Sequence, residues 1–131
     1  DMLRAQISAE RADYAGAVAL FESARDRIER SVIAGNQVFG VVPNLYAFMA
    51  RAMVHAGQLE QAETTLEKGF ELDPTNPHLW VSRARLQQAT DAPALAQASV
   101  NFALAVWKDA DPDYSYYIEA TELAAELDQS E

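Results

Sequence analysis

Between positions 44 and 74 the apolar residues recur at intervals of three and four. Tyr46, Met49, Ala50 and Met53 share one side of a helix, which Ala56-Gly57 ends with a residue that accepts the left-handed conformation. A second helix begins two residues on. Leu59, Ala62, Leu66, Gly69 and Phe70 take one side of it, and Glu60, Glu63, Glu67 and Glu71 take the opposite, solvated side. Asp73-Pro74 closes it, because proline cannot continue a helix. Neither helix can bury its apolar side alone, so the pair predicts an α-hairpin stacked against neighbours.

The same order of turn, small, large and small residues returns on both flanks. Upstream, Ala12-Asp13-Tyr14 is followed by Ala17, Phe21 and Ala24, which predicts a short first helix, a turn and a second helix running to about Ala34. Gly35 to Pro43 reads as a connector, bracketed by glycine and proline. Downstream, Asn76-Pro77 opens a helix with Trp80, Ala84 and Leu86 that ends near Ala89-Thr90. Ala98, Phe102 and Ala105 are assigned to its partner, closed by Asp111-Pro112. A final helix carries the stripe Tyr117, Ala120, Ala124 and Leu127. The expectation is seven helices and no sheet in one domain over 1–131. Its parts are a first unit at 1–34, a connector at 35–43, further units at 44–75 and 76–112, and a capping helix at 113–128. From Ala17 to Ala62 to Ala98 the spacing is irregular, against about 34 residues for a regular array of such units.

These residues resemble the tetratricopeptide repeat. That family places a bulky aromatic early in the first helix (here Tyr46), then a large–small pair (Met49-Ala50) and another large residue (Met53). Gly57 stands at the turn, Ala62, Leu66 and Gly69 follow in the second helix, and Pro74 closes the unit. The resemblance implies an all-α superhelix of about three helix–turn–helix units plus a cap. It also implies that the first helices line a concave groove. The groove candidates are Asn44, Ala47, Phe48, Arg51 and His55, then His78, Val81, Arg85 and Gln88, with Gln6 and Glu10 from the first unit. Ala47 and Arg51 stand where chaperone-tail-binding members carry lysine and asparagine, which speaks against that ligand.

Composition agrees with helix. Alanine supplies 25 of 131 residues, against 5 Gly and 5 Pro, and alanine loses no side-chain entropy in a helix. There is no cysteine, which removes disulfides, thiolate metal sites and a cysteine nucleophile. Net charge is −10, and the last 23 residues hold 8 acids and no base. Such a surface repels phosphate backbones and anionic membranes, so neither nucleic acid nor membrane insertion is expected. No apolar run approaches the roughly 20 residues of a membrane helix. We expect a soluble protein, cytoplasmic rather than periplasmic.

The search for chemistry finds little. His55 and His78 lack a ligand spacing. The run Asp109-Ala110-Asp111-Pro112-Asp113 opens like a calcium loop but continues with Tyr114 where glycine is required. No serine has a nucleophile-elbow context. No catalytic residue, cofactor or metal is therefore expected. Phe21, Tyr46, Phe70, Trp80, Phe102 and Trp107 are assigned to the core, whereas Val38-Phe39-Gly40-Val41-Val42 either folds back over the first hairpin or forms an apolar patch for a partner. Arg51 and Arg85 stand out in an acidic chain: each either grips a partner carboxylate or pairs internally with a glutamate. The expected function is non-catalytic, a module holding a peptide or helix, acidic in character, in the concave groove. The alternatives are an accessory segment of a larger enzyme or signalling protein, and a self-associating dimer.

Overall fold

The computed structural model describes residues 2–33 and 41–129, and among the described residues all regular structure is helical. Six helices follow in order: α1 Met2–Ile33, α2 Val41–Ala56, α3 Leu59–Leu72, α4 Pro77–Ala89, α5 Pro93–Val106 and α6 Ser115–Gln129. They form an array of stacked helical hairpins, α2 with α3 and α4 with α5, with α1 laid along α2 and α6 closing the far end.

Each hairpin turn is made by one residue in the left-handed region: Gly57 at φ 83° and Asp91 at φ 60°. Glycine takes that conformation freely, and aspartate is among the few other residues that tolerate it. The main departure from expectation lies in α1. The turn expected at Ala12-Asp13-Tyr14 is absent, and α1 runs unbroken through it for 32 residues. Nothing there breaks a helix, and Gly16 four positions past Ala12 is itself helical. Among the described residues the first unit is therefore one long helix, and six helices stand in place of the expected seven. Residues 41–43 of the expected connector belong to α2, and the rest of it, with Val38-Phe39-Gly40, lies outside the described residues.

Gly16 offers a direct check, because it is exposed and a Cβ built on it meets nothing within 4 Å. Gly16→Ala is expected to raise stability by about 0.5–1 kcal/mol, through helix propensity alone. Urea unfolding of the two proteins measures it, and a loss of stability would contradict a continuous α1.

α1 is antiparallel to α2. The Tyr46 hydroxyl donates to Glu29 Oε1 at 2.9 Å, and towards the other end the Tyr14 and His55 rings stack at 4.6 Å. Burial and this bond to an anion both push the Tyr46 phenol above its ordinary pKa. α2 is tied to the next hairpin by two polar links. The buried Ser82 hydroxyl donates to the Ala47 carbonyl at 2.6 Å. Asn76 caps α4, its Oδ1 accepting from the backbone N–H groups of His78 and Leu79. Its amide nitrogen donates to Asn44 Oδ1 at 2.8 Å, so one side chain starts a helix and joins two units.

The core has two parts that share α4. Tyr46, Met49, Ala50, Met53, Ala62 and Leu66 pack with Leu79 and Leu86. On the other side, Val81 and Ala84 pack with Ala96, Val100, Ala103, Ala120, Leu123 and Leu127. Each helix is thus buried mainly by its neighbours in the array.

The structure corrects the register of α5. Its buried residues are Ala96, Ser99, Val100 and Ala103, so Ala62, Leu66 and Gly69 of α3 correspond to Ala96, Val100 and Ala103, each 34 residues on. The two hairpins are regularly spaced. Ala98, Phe102 and Ala105, expected inside, are exposed. A shift of two residues rotates a helix face by about 200°, which carries an inward residue to the outer side. Phe102 accordingly sits on the surface and 38% exposed.

Candidate functional site

α2 and α4 lie side by side as the first helices of the two hairpins, and their candidate groove residues point the same way. Phe48, Arg51 and His55 of α2 line a cavity of about 370 Å³ with Ala52. α1 supplies one wall through Tyr14, Ala17 and Phe21, and α6 supplies Tyr116. Beside it, His78, Val81 and Ser82 of α4 meet Phe48, Arg51, Trp107, Tyr116 and Glu119. His78 is the hub of an aromatic cluster, with Phe48 at 5.1 Å, Trp107 at 5.1 Å and Tyr116 at 4.7 Å. Trp107, assigned to the core from sequence, thus flanks the groove.

The two arginines converge on one carboxylate. Arg51 holds Glu119 with both prongs, Nη2 to Oε1 at 2.5 Å and Nη1 to Oε2 at 3.1 Å. Arg85 Nη2 reaches the same Oε1 at 3.3 Å. Of the two roles open to these arginines, internal pairing is the geometry found. Two guanidiniums against one carboxylate leave the groove floor with one net positive charge, and the buried Arg85 Nε has no hydrogen-bond partner. Farther along, Gln88 donates to Glu126 at 3.2 Å, a second polar link from α4 to α6.

Other candidates offer the groove little or no side chain. Ala47 is fully buried and Val81 is 8% exposed, because both pack between hairpins. Asn44 is engaged by Asn76 and joins units. Gln6 and Glu10 lie on α1, at positions whose side chains are outside those described. Sequence reasoning missed Tyr14, Trp107, Tyr116 and Glu119 as groove residues, since their places depend on how α1 and α6 dock.

Burial disfavours the charged form of both histidines. Burial lowers the pKa of His55, with Arg51 and Arg85 adding to it and Glu119 opposing. Burial lowers that of His78, again against Glu119. Their ordinary value of 6.5 applies in the unfolded chain. Below that pH the unfolded state binds more protons than the folded one, so stability is full above it and falls as pH drops through the depressed folded values. We expect a lower Tm at pH 5.5 than at pH 7.5, and a smaller difference in a His55→Gln/His78→Gln variant; an undiminished difference would remove the histidines as its cause.

Among the described residues no His, Asp or Glu come together in a group of three suited to a metal, and no helix is long and apolar enough to cross a membrane. Searches of curated proteins and of solved structures returned no match. A family model described as tetratricopeptide repeat matches residues 8–86, from within α1 to near the end of α4. That match covers more than half of the chain, carries the Gly57 turn and the Ala62-Leu66-Gly69 packing, and shows that the chain belongs to the tetratricopeptide repeat family.

Proposed function

We propose that this chain is a non-catalytic interaction module that holds a short peptide or helix of a protein partner in the groove over α2 and α4. Tetratricopeptide repeats generally mediate protein–protein interaction. The observation that carries the reading is the cavity between α1, α2 and α6. Its walls are Tyr14, Phe21, Phe48 and Tyr116, and Arg51 stands at its floor. Aromatic walls with an arginine beneath them suit an apolar anchor residue beside a carboxylate, since aromatic and arginine side chains dominate binding energy at interfaces. The net positive floor favours an acidic segment over a basic one.

The test compares wild type with Phe48→Ala and Tyr116→Ala as baits in a pull-down from the source cell's lysate. Circular dichroism checks that each bait is folded. Either substitution is expected to reduce recovery of a specific partner by about tenfold or more, the loss typical of an anchor side chain. Equal recovery by folded variants would remove the groove as the binding surface. Native mass, measured alongside, identifies a dimer if the partner is a second copy.

A further inference from the structure

A second groove lies on the opposite face of α4. Arg83, Leu86, Gln87 and Thr90 line it from α4, and Leu59, Glu60, Glu63, Leu66, Glu67 and Phe70 line it from α3, around a volume of about 290 Å³. At 100° per residue these α4 positions are turned about half a circle from His78, Val81 and Arg85, so the two grooves are separate surfaces.

We propose that this second groove docks a cationic amphipathic helix of another protein. The floor is apolar, with Leu66, Leu86 and Phe70. One wall is acidic. Glu60, Glu63 and Glu67 stand at intervals of three and four along α3, and among the described residues none of them forms an ion pair. Residues so spaced are neighbours on a helix, and like charges there repel. The lysine of α3, Lys68, lines a different hollow, with Glu22 and Arg25 of α1 and with Glu60 at the edge between the two. The one base in the groove, Arg83, is laid over Phe70 at 5.3 Å and Trp80 at 5.5 Å, which holds it on the aromatic faces at one end.

Beyond that end the apolar surface continues. Phe70 packs on Trp80 at 4.9 Å and Trp80 on Phe102 at 4.6 Å. Phe102 shares a side of α5 with Leu95, 61% exposed, and α5 carries no charged residue in its whole length. The lining of α3 from Leu59 to Phe70 spans three turns, about 16 Å, which matches a docked helix of three to four turns. A helix with leucines on one face and lysine or arginine on its flank would bury the first against Leu66, Leu86 and Phe70. Its flank would meet three unpaired carboxylates. A second copy of this chain suits the groove poorly, because it carries a net charge of −10 and brings acid to acid.

The probe is a fluorescein-labelled 16-residue helical peptide with a leucine face and lysine–arginine flanks, against a counterpart with glutamate flanks, read by anisotropy. The cationic peptide is expected to bind and the acidic one not. Glu60→Gln/Glu63→Gln/Glu67→Gln is expected to weaken binding about tenfold, the combined effect of three solvent-exposed ion pairs. Asp109→Asn/Glu122→Gln/Asp128→Asn removes the same charge elsewhere and is expected to change affinity less than about twofold. Equal weakening by the two triple variants would show attraction to overall charge and overturn the proposal. So would a wild-type dimer, seen by sedimentation, that the α3 variant dissolves, since a second copy would then fill the groove. Phe48→Ala leaves this binding intact, so failure here and failure of the first groove are distinguishable.

Discussion

Replacing Glu119 by alanine is expected to lower the stability of the array by about 2–3 kcal/mol. The carboxylate is the shared counter-charge of Arg51 and Arg85, one held with two bonds and the other with one. Its removal leaves two guanidiniums facing each other, with 35% and 20% of their side-chain area exposed. Breaking a buried pair from one side costs about 3–5 kcal/mol, and partial exposure here lowers the figure. A Tm decrease of roughly 6–12 °C follows for a chain of this size. Glu119 also ties α6 to both α2 and α4, so amide exchange in α6 should quicken more than in α3. An Arg51→Met/Arg85→Met/Glu119→Leu variant, with no charge left to strand, should recover much of the loss. Unchanged thermal stability in Glu119→Ala would mean that the three side chains are not paired in solution.

Gly69→Leu is expected to destabilise by about 1–3 kcal/mol through overpacking. A Cβ at this position would lie 2.5 Å from Leu79 Cδ2, 3.3 Å from Leu79 Cδ1 and 3.2 Å from Tyr46 Cβ. Leu79 is fully buried, so its methyl groups have little room to turn aside, and the Tyr46 contact is to an atom fixed near the backbone. The three helices α2, α3 and α4 meet at this point. Added bulk there separates the first hairpin from the second. Thermal unfolding of Gly69→Ala and Gly69→Leu should give a graded loss, larger for leucine. A neutral or stabilising Gly69→Leu would place Gly69 away from the crossing.

The hairpin of α2 and α3 was legible because each of its boundaries is marked by a residue with one main conformational use. Gly57 makes the turn, Pro74 stops the second helix, and a glutamate row on α3 identifies its outer side. α5 carries no such marks. Its sequence, PALAQASVNFALAV, has small or apolar residues on every side, so Ala96 and Ala98 look equally able to sit inside. Only the packing against α4 and α6 selects the first. In α1 the pattern of small and large residues imitates the second helix of a repeat, and Asp13 and Gly16 are residue types that can turn a chain, yet both are helical and no described residue of α1 takes a positive φ. In the site, Phe48, Arg51, His55, His78, Arg85 and Gln88 follow from repeat position. Glu119 does not, because its bond to Arg51 joins residues 68 apart in the chain and no local pattern reports it.

The groove over α2 and α4 is tested most directly by placing a photoreactive phenylalanine analogue, in separate proteins, at Phe48, Tyr116, Asp13 and Glu122. The first two positions line the cavity, and the last two are exposed on α1 and α6. After irradiation in lysate and isolation of each protein, mass spectrometry identifies what is attached. The account predicts the same partner segment joined at positions 48 and 116, with no such adduct from 13 or 122. Adducts from 13 or 122, with none from the two groove positions, would contradict it.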